Sequence, residues 1–75
     1  MTTTRKQFVR IVEHPYFMSL IKEARRVKYI VKKSENFFYK VTDDETGDEV
    51  FTGMRHSSGK WVTTFSTLYW QEPTL

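Results

Sequence analysis

The groups with which this sequence could do chemistry are two histidines, a few serines, a run of acids and three glycines, with no cysteine. His14 and His56 are far apart in the chain. Neither has a helical i, i+4 carboxylate–histidine partner, and no thiolate exists to complete a zinc site. Ser57 and Ser58 beside His56 have the composition of a nucleophile and its base. Adjacent residues on one turn seldom reach the geometry of attack, and no third group orients the imidazole. Asp43, Asp44, Glu45, Asp48 and Glu49 form an acidic hairpin end. They lack the alternating ligands, following glycine and later glutamate of a calcium loop, so they read as a solvated turn; the functional alternative is a sheet end that repels nucleic acid or meets a basic protein partner. Glycines 47, 53 and 59 are scattered and make no phosphate-cradling loop; Gly53, inside a strand pattern, marks a bulge or lets a ring such as Phe38 lie over the backbone. The sequence therefore predicts no catalysis, cofactor, metal or small-molecule substrate.

Aromatic rings interleaved with cations point elsewhere. Phe38, Phe51, Trp61, Phe65 and Tyr69 alternate with Lys40 and Arg55 along extended segments. Lys22, Arg25, Arg26, Lys28, Lys32 and Lys33 form a basic cluster where the helical segment passes into the strands. Residues 1–40 carry ten Lys/Arg against three acids, a net +7, while residues 41–75 carry two against six, a net −4. Such asymmetry favours an anionic partner for the N-terminal half. The helical cations scatter around the axis at 100° per residue, which argues against a membrane-lying helix and against a major-groove recognition helix.

These groups need elements to hold them. Thr4 to Gln7 has capping-box spacing and opens a helical region over 4–26. Val9, Val12, Tyr16, Leu20, Ala24 and Val27 form one apolar stripe, with Phe8 and Phe17 flanking it. Pro15 interrupts the region and pushes His14 out of the α conformation. The stripe keeps its phase across Pro15, as one kinked helix would; two nearly collinear segments are the preferred expectation, 4–13 and 15–26, the second amphipathic through Phe17, Leu20, Ile21 and Ala24. From Val27 the apolar period changes to two, predicting a four-stranded antiparallel meander over 27–70, with turns at 34–36, 44–47 and 57–59 and a short tail at 71–75. The fold class is α+β, with the helical segment on one face of the sheet.

Turn lengths fix a register. They set Val31 opposite Tyr39, Val41 opposite Val50 and Met54 opposite Val62. On that register Val27, Tyr29, Val31, Phe37, Tyr39, Val41, Val50, Met54, Val62 and Leu68 face the helix. Ile30, Phe38, Phe51, Trp61, Phe65 and Tyr69 face away among Lys28, Lys32, Lys40 and Arg55, with Lys40, Phe51 and Phe65 in one cross-strand row and Arg55 opposite Trp61. Large exposed rings on an uncovered face mark an interaction site. A protein partner or a second copy fits through aromatic and arginine anchors; a single-stranded nucleic acid or RNA fits through base stacking with phosphates on the cations; a tightly curled sheet would instead take the rings into its core. The expected function is a small non-catalytic binding module of accessory or inhibitor type, with nucleic acid as the alternative ligand.

With 75 residues the chain has room for one small domain, and an apolar fraction of 39% with 16% aromatic is too high for disorder. The lack of cysteine and of a spanning or signal-type apolar run predicts an intracellular, cytoplasmic location without membrane association.

Overall fold

The computed structural model describes residues 7–34 and 37–70. They form β1 (Gln7–Val12), α1 (His14–Arg26), β2 (Ile30–Ser34), β3 (Phe38–Thr42), β4 (Glu49–Arg55) and β5 (Trp61–Ser66). The strands make one sheet in the order β1-β5-β4-β3-β2, every neighbouring pair antiparallel, with α1 packed on one face. The fold is α+β as expected, but the sheet has five strands rather than four.

The extra strand comes from the segment expected to be the first helix. Residues 7–12 pair along their whole length with β5, Phe8 opposite Phe65 and Val12 opposite Trp61. Over six residues a stripe at three- and four-residue intervals and an alternation of period two are hard to tell apart. Here Phe8 and Val12 fall on one side and Val9 and Ile11 on the other. Val9, Ile11 and Val12 are β-branched, which disfavours helix and suits a pleated surface, and β5 offers an open edge to pair with. Thr4 of the proposed capping box lies outside the described residues, as do the 71–75 tail and residues 35–36, and Gln7 opens a strand.

The second helical segment is where the spacing predicts it. Glu13 caps α1 with extended backbone (φ −67°, ψ 152°), so the break falls before His14, which joins the helix rather than staying extended; Pro15 sits in the first turn, where its missing amide has no partner to lose. Phe17, Leu20, Ile21 and Ala24 are the buried residues of α1, one face at i, i+3, i+4, i+7. Tyr16 and Val27, members of the longer stripe, are exposed. The helix ends in a Schellman-type cap, with the Tyr29 amide donating to the Ala24 carbonyl (2.9 Å) and the Lys28 amide to Arg25 (3.1 Å). Lys28 takes φ 68° there, a left-handed conformation that glycine adopts without penalty. Lys28→Gly is accordingly expected to stabilise the protein by about 0.5–1 kcal/mol, read as a higher urea midpoint at unchanged m-value.

One residue decides which strand faces lie under the helix. The acidic turn sets Thr42 opposite Glu49, the expected register, but the next pair is Val41 with Phe51. Val50 is the extra residue of a β-bulge and turns its side chain into the core. Because side chains alternate, this one-residue shift exchanges the faces of β4 and β5. The β4–β5 turn then holds the expected Met54–Val62 and Arg55–Trp61 pairs. In the β2–β3 hairpin Val31 lies opposite Val41, two residues from expectation, so those strands keep their faces. The Lys40–Phe51–Phe65 row is not formed: Phe51 lies opposite Phe65, and Lys40 lies opposite Thr52.

Phe51, Trp61 and Phe65 are therefore core, nearly inaccessible alongside Phe17, Leu20, Ile21, Ala24, Val41 and Val50. Phe17 stacks on Trp61 with ring centroids 4.2 Å apart and planes 5° apart, and Tyr39 meets both rings edge-on at 5.5 Å. Phe17 also lies flat against the β4 backbone at Gly53, where a Cβ would stand 2.2 Å from its Cε1. The ring over the glycine is thus the helix's Phe17 rather than Phe38.

Candidate interaction face

The sheet face away from α1 is built by the residues that alternate with the core. Ile11, Val62, Met54 and Phe38 stand directly opposite one another on β1, β5, β4 and β3, an apolar row across four strands. Ile11 is 63% exposed and Met54 55%, whereas Val62 and Phe38 are half-buried by their neighbours. The adjacent row is Val9, Thr64, Thr52, Lys40 and Lys32. Ile30 continues the apolar character at the β2 edge, 40% exposed. No described element covers this face, since the only helix among the described residues packs on the other side.

The expected binding residues are divided by this arrangement. Phe38, Lys40 and Lys32 lie on the open face. Phe51, Trp61 and Phe65 lie beneath α1, moved there by the bulge. Arg55 is on the helix side, its guanidinium 5.3 Å from the centroid of the exposed Phe37 ring, although it does stand opposite Trp61. Tyr69 is half-buried beside Tyr29 with centroids 6.1 Å apart, its hydroxyl 3.1 Å from Thr46 Oγ1. Met54 and Val62, expected in the core, are on the open face, and Leu68 is exposed.

The basic cluster is divided too. Arg26 forms a two-pronged ion pair with Glu23 one helical turn away, which holds the Glu23 carboxyl below its ordinary range through that hydrogen bond. Lys33 lies on the helix side, its ammonium 5.7 Å from the Tyr39 centroid. Lys22, Arg25 and Lys28 are exposed on and just after α1. Lys32 and Lys40 are left side by side on the open face as a cross-strand pair, and among the described residues no carboxylate reaches either one. Like charges directly opposite are destabilising by a few tenths to about 1 kcal/mol.

The histidine and acidic groups have structural partners. The buried Trp61 indole N–H donates to Nδ1 of His14 at 2.9 Å, which satisfies a polar atom that burial would otherwise leave unpaired. His56 Nδ1 accepts from the Ser58 amide at 3.1 Å and lies 2.9 Å from the Ser58 hydroxyl. It closes the β4–β5 turn, where Gly59 takes φ 88°. Asp43 Oδ1 accepts from the amides of Glu45 (2.8 Å) and Thr46 (3.2 Å), and these bonds hold the Asp43 carboxyl below its ordinary range. A carboxyl with a lowered folded pKa stabilises the fold above its unfolded pKa, and that contribution is lost as pH falls through the folded value. The unfolding temperature is therefore expected to drop on acidification below about pH 4, with a shallower drop in Asp43→Asn. Parallel slopes in the two proteins would show that the Asx turn contributes nothing. Among the described residues no group of three or more potential ligands could hold a metal, and no helix is long and apolar enough to cross a membrane.

A second surface feature was not legible in the sequence. Beyond β5 the chain folds back, so that Trp70 stacks on Phe65 at 4.8 Å and Tyr69 meets Tyr29. Tyr29, Tyr69 and Trp70, with Leu20, Ala24 and Val50, line an apolar recess of about 180 Å³ at the C-terminal end of α1. Its only sequence signal is a Tyr-Trp pair just after a strand.

No protein-family model, curated protein or solved structure matches this chain.

Proposed function

We propose that this chain is a non-catalytic protein-binding module that docks its partner on the open face of the sheet, as accessory, adaptor or inhibitor proteins do. The observation that supports this reading is the row Ile11, Val62, Met54 and Phe38, a continuous apolar strip on a face that no described element covers. Exposed apolar surface of this kind gains by being buried against a partner, and methionine adapts to the shape presented to it. The nucleic-acid alternative loses most of its support. It relied on Phe51, Trp61 and Phe65 as stacking platforms, and of the expected aromatics only Phe38 remains on the open face.

The test is a selection from a displayed random-peptide library against the immobilised protein, followed by affinity measurement on the double variant Met54→Lys, Val62→Lys. Both sites are on the solvent side, so the variant should keep wild-type circular dichroism and cooperative unfolding. Selected peptides are expected to bind it at least about tenfold more weakly. Peptides that bind variant and wild type alike would place docking away from the open face and overturn the reading. Retention of a labelled single-stranded oligonucleotide, with no peptide enriched, would transfer the function to nucleic acid.

A further inference from the structure

We infer that the partner presents an acidic surface, with carboxylates beside an apolar ridge, and that Lys32 and Lys40 are the specificity residues that receive those carboxylates. This rests on the open-face reading above and adds the chemistry of the occupant.

Three observations carry it. First, Lys32 and Lys40 are directly opposite each other on neighbouring strands, where their charges repel. Among the described residues neither has a counter-ion, although Arg26 and Lys60 do have carboxylate partners, Glu23 and Glu13. Second, the pair is one row away from the apolar strip and on the same face, so an occupant of the strip must come within reach of both ammonium groups. Third, the hydroxyls of Thr52 and Thr64 lie between the lysines and Val9 in that row, so no acid of the chain's own lies along that row to compete for them. A carboxylate brought between the lysines replaces a repulsion with two attractions, in an environment the occupant itself desolvates, where charge pairs are stronger than in water. An occupant without acids would instead trap two unpaired ammonium groups. A second copy of the chain fits less well, because its acids cluster in the 43–49 hairpin end, away from its own apolar row.

The experiment uses the peptides selected on the wild-type protein and measures each against three variants: Lys32→Glu with Lys40→Glu, Lys32→Gln with Lys40→Gln, and Met54→Lys with Val62→Lys. Enriched peptides should combine apolar with Asp/Glu residues. They should bind the glutamate variant at least about tenfold more weakly, with the glutamine variant intermediate, and should weaken as salt is raised from about 50 to about 300 mM. Exchanging the peptide's acids for lysine should restore binding to the glutamate variant. Peptides that lose binding to the Met54/Val62 variant but not to the lysine variants would overturn the acidic-partner inference and leave the open-face reading standing. Peptides insensitive to both sets would overturn both. A sedimentation mass of two chains that returns to one with Met54→Lys, Val62→Lys would make a second copy the occupant and overturn the inference as well. Affinity for labelled single-stranded RNA that disappears in the lysine variants would do the same in favour of a polyphosphate.

Discussion

Gly53→Ala is expected to remove a large share of the stability of the fold. The new Cβ would stand 2.2 Å from Cε1 and 2.3 Å from Cζ of Phe17, inside the closest approach of any two carbons. The ring has little freedom to yield, because Trp61 stacks on it at 4.2 Å and Tyr39 and Phe51 meet it edge-on. Helix and sheet would have to separate around their central contact. Overpacking of this kind costs about 1–3 kcal/mol or more, and a domain of this size has only about 5 kcal/mol or somewhat more in total. The expected result is a thermal transition lowered by about 10 °C or more, with weakened near-ultraviolet circular dichroism. Combining Gly53→Ala with Phe17→Leu should recover part of the loss, because the two sites share one volume and their effects do not add. An alanine variant that unfolds within about 1 kcal/mol of wild type would show that the helix does not rest on this glycine.

Charging the two faces of the sheet is expected to give opposite outcomes. Phe51→Lys with Phe65→Lys places two ammonium groups where the native rings are 2% and 1% exposed, Phe65 stacked with Phe8 and Trp70 and Phe51 edge-on to Phe17 and Trp70. Each substitution removes a large buried ring and strands a charge, and each cost is about 3–5 kcal/mol. The pair exceeds the stability of a domain this small, so no folded population should remain. Met54→Lys with Val62→Lys introduces the same charges on the same two strands but on the open face, Met54 exposed and Val62 half-buried with room for its ammonium group to reach water, where surface substitutions usually cost little. A folded Phe51/Phe65 variant, or an unfolded Met54/Val62 variant, would mean that β4 and β5 present the other face to the helix.

That contrast also marks how far the sequence could be read. The turns at residues 44–47 and 57–59 and four of the strands follow from local chemistry: Gly47 and Gly59 take positive φ in those turns, and Met54 pairs with Val62 as the turn length dictates. The amphipathic helix is equally local, since Phe17, Leu20, Ile21 and Ala24 form one face by spacing alone. Neither the bulge at Val50 nor the pairing of β1 with β5 has a local signature. A bulge exists because Val41, Val50 and Phe51 pack together under the helix, and a six-residue β-branched run becomes a strand because a distant edge requires one. The candidate site inherited the same limit. Phe38, Lys32 and Lys40 were legible as open-face residues because the β2–β3 hairpin shifts by two and keeps its parity, while the three rings beyond the bulge were assigned to the wrong side.

The sequence by itself determined four of the five described strands, where most of them turn and which face of α1 is apolar, because these depend on residues close together in the chain. Only the tertiary structure decided which face of the sheet meets that helix, because alternation ties every side chain of two strands to a single inserted residue. The same insertion places Met54 and Val62 beside Phe38 and Ile11, on the face where Lys32 and Lys40 have no counter-ion among the described residues.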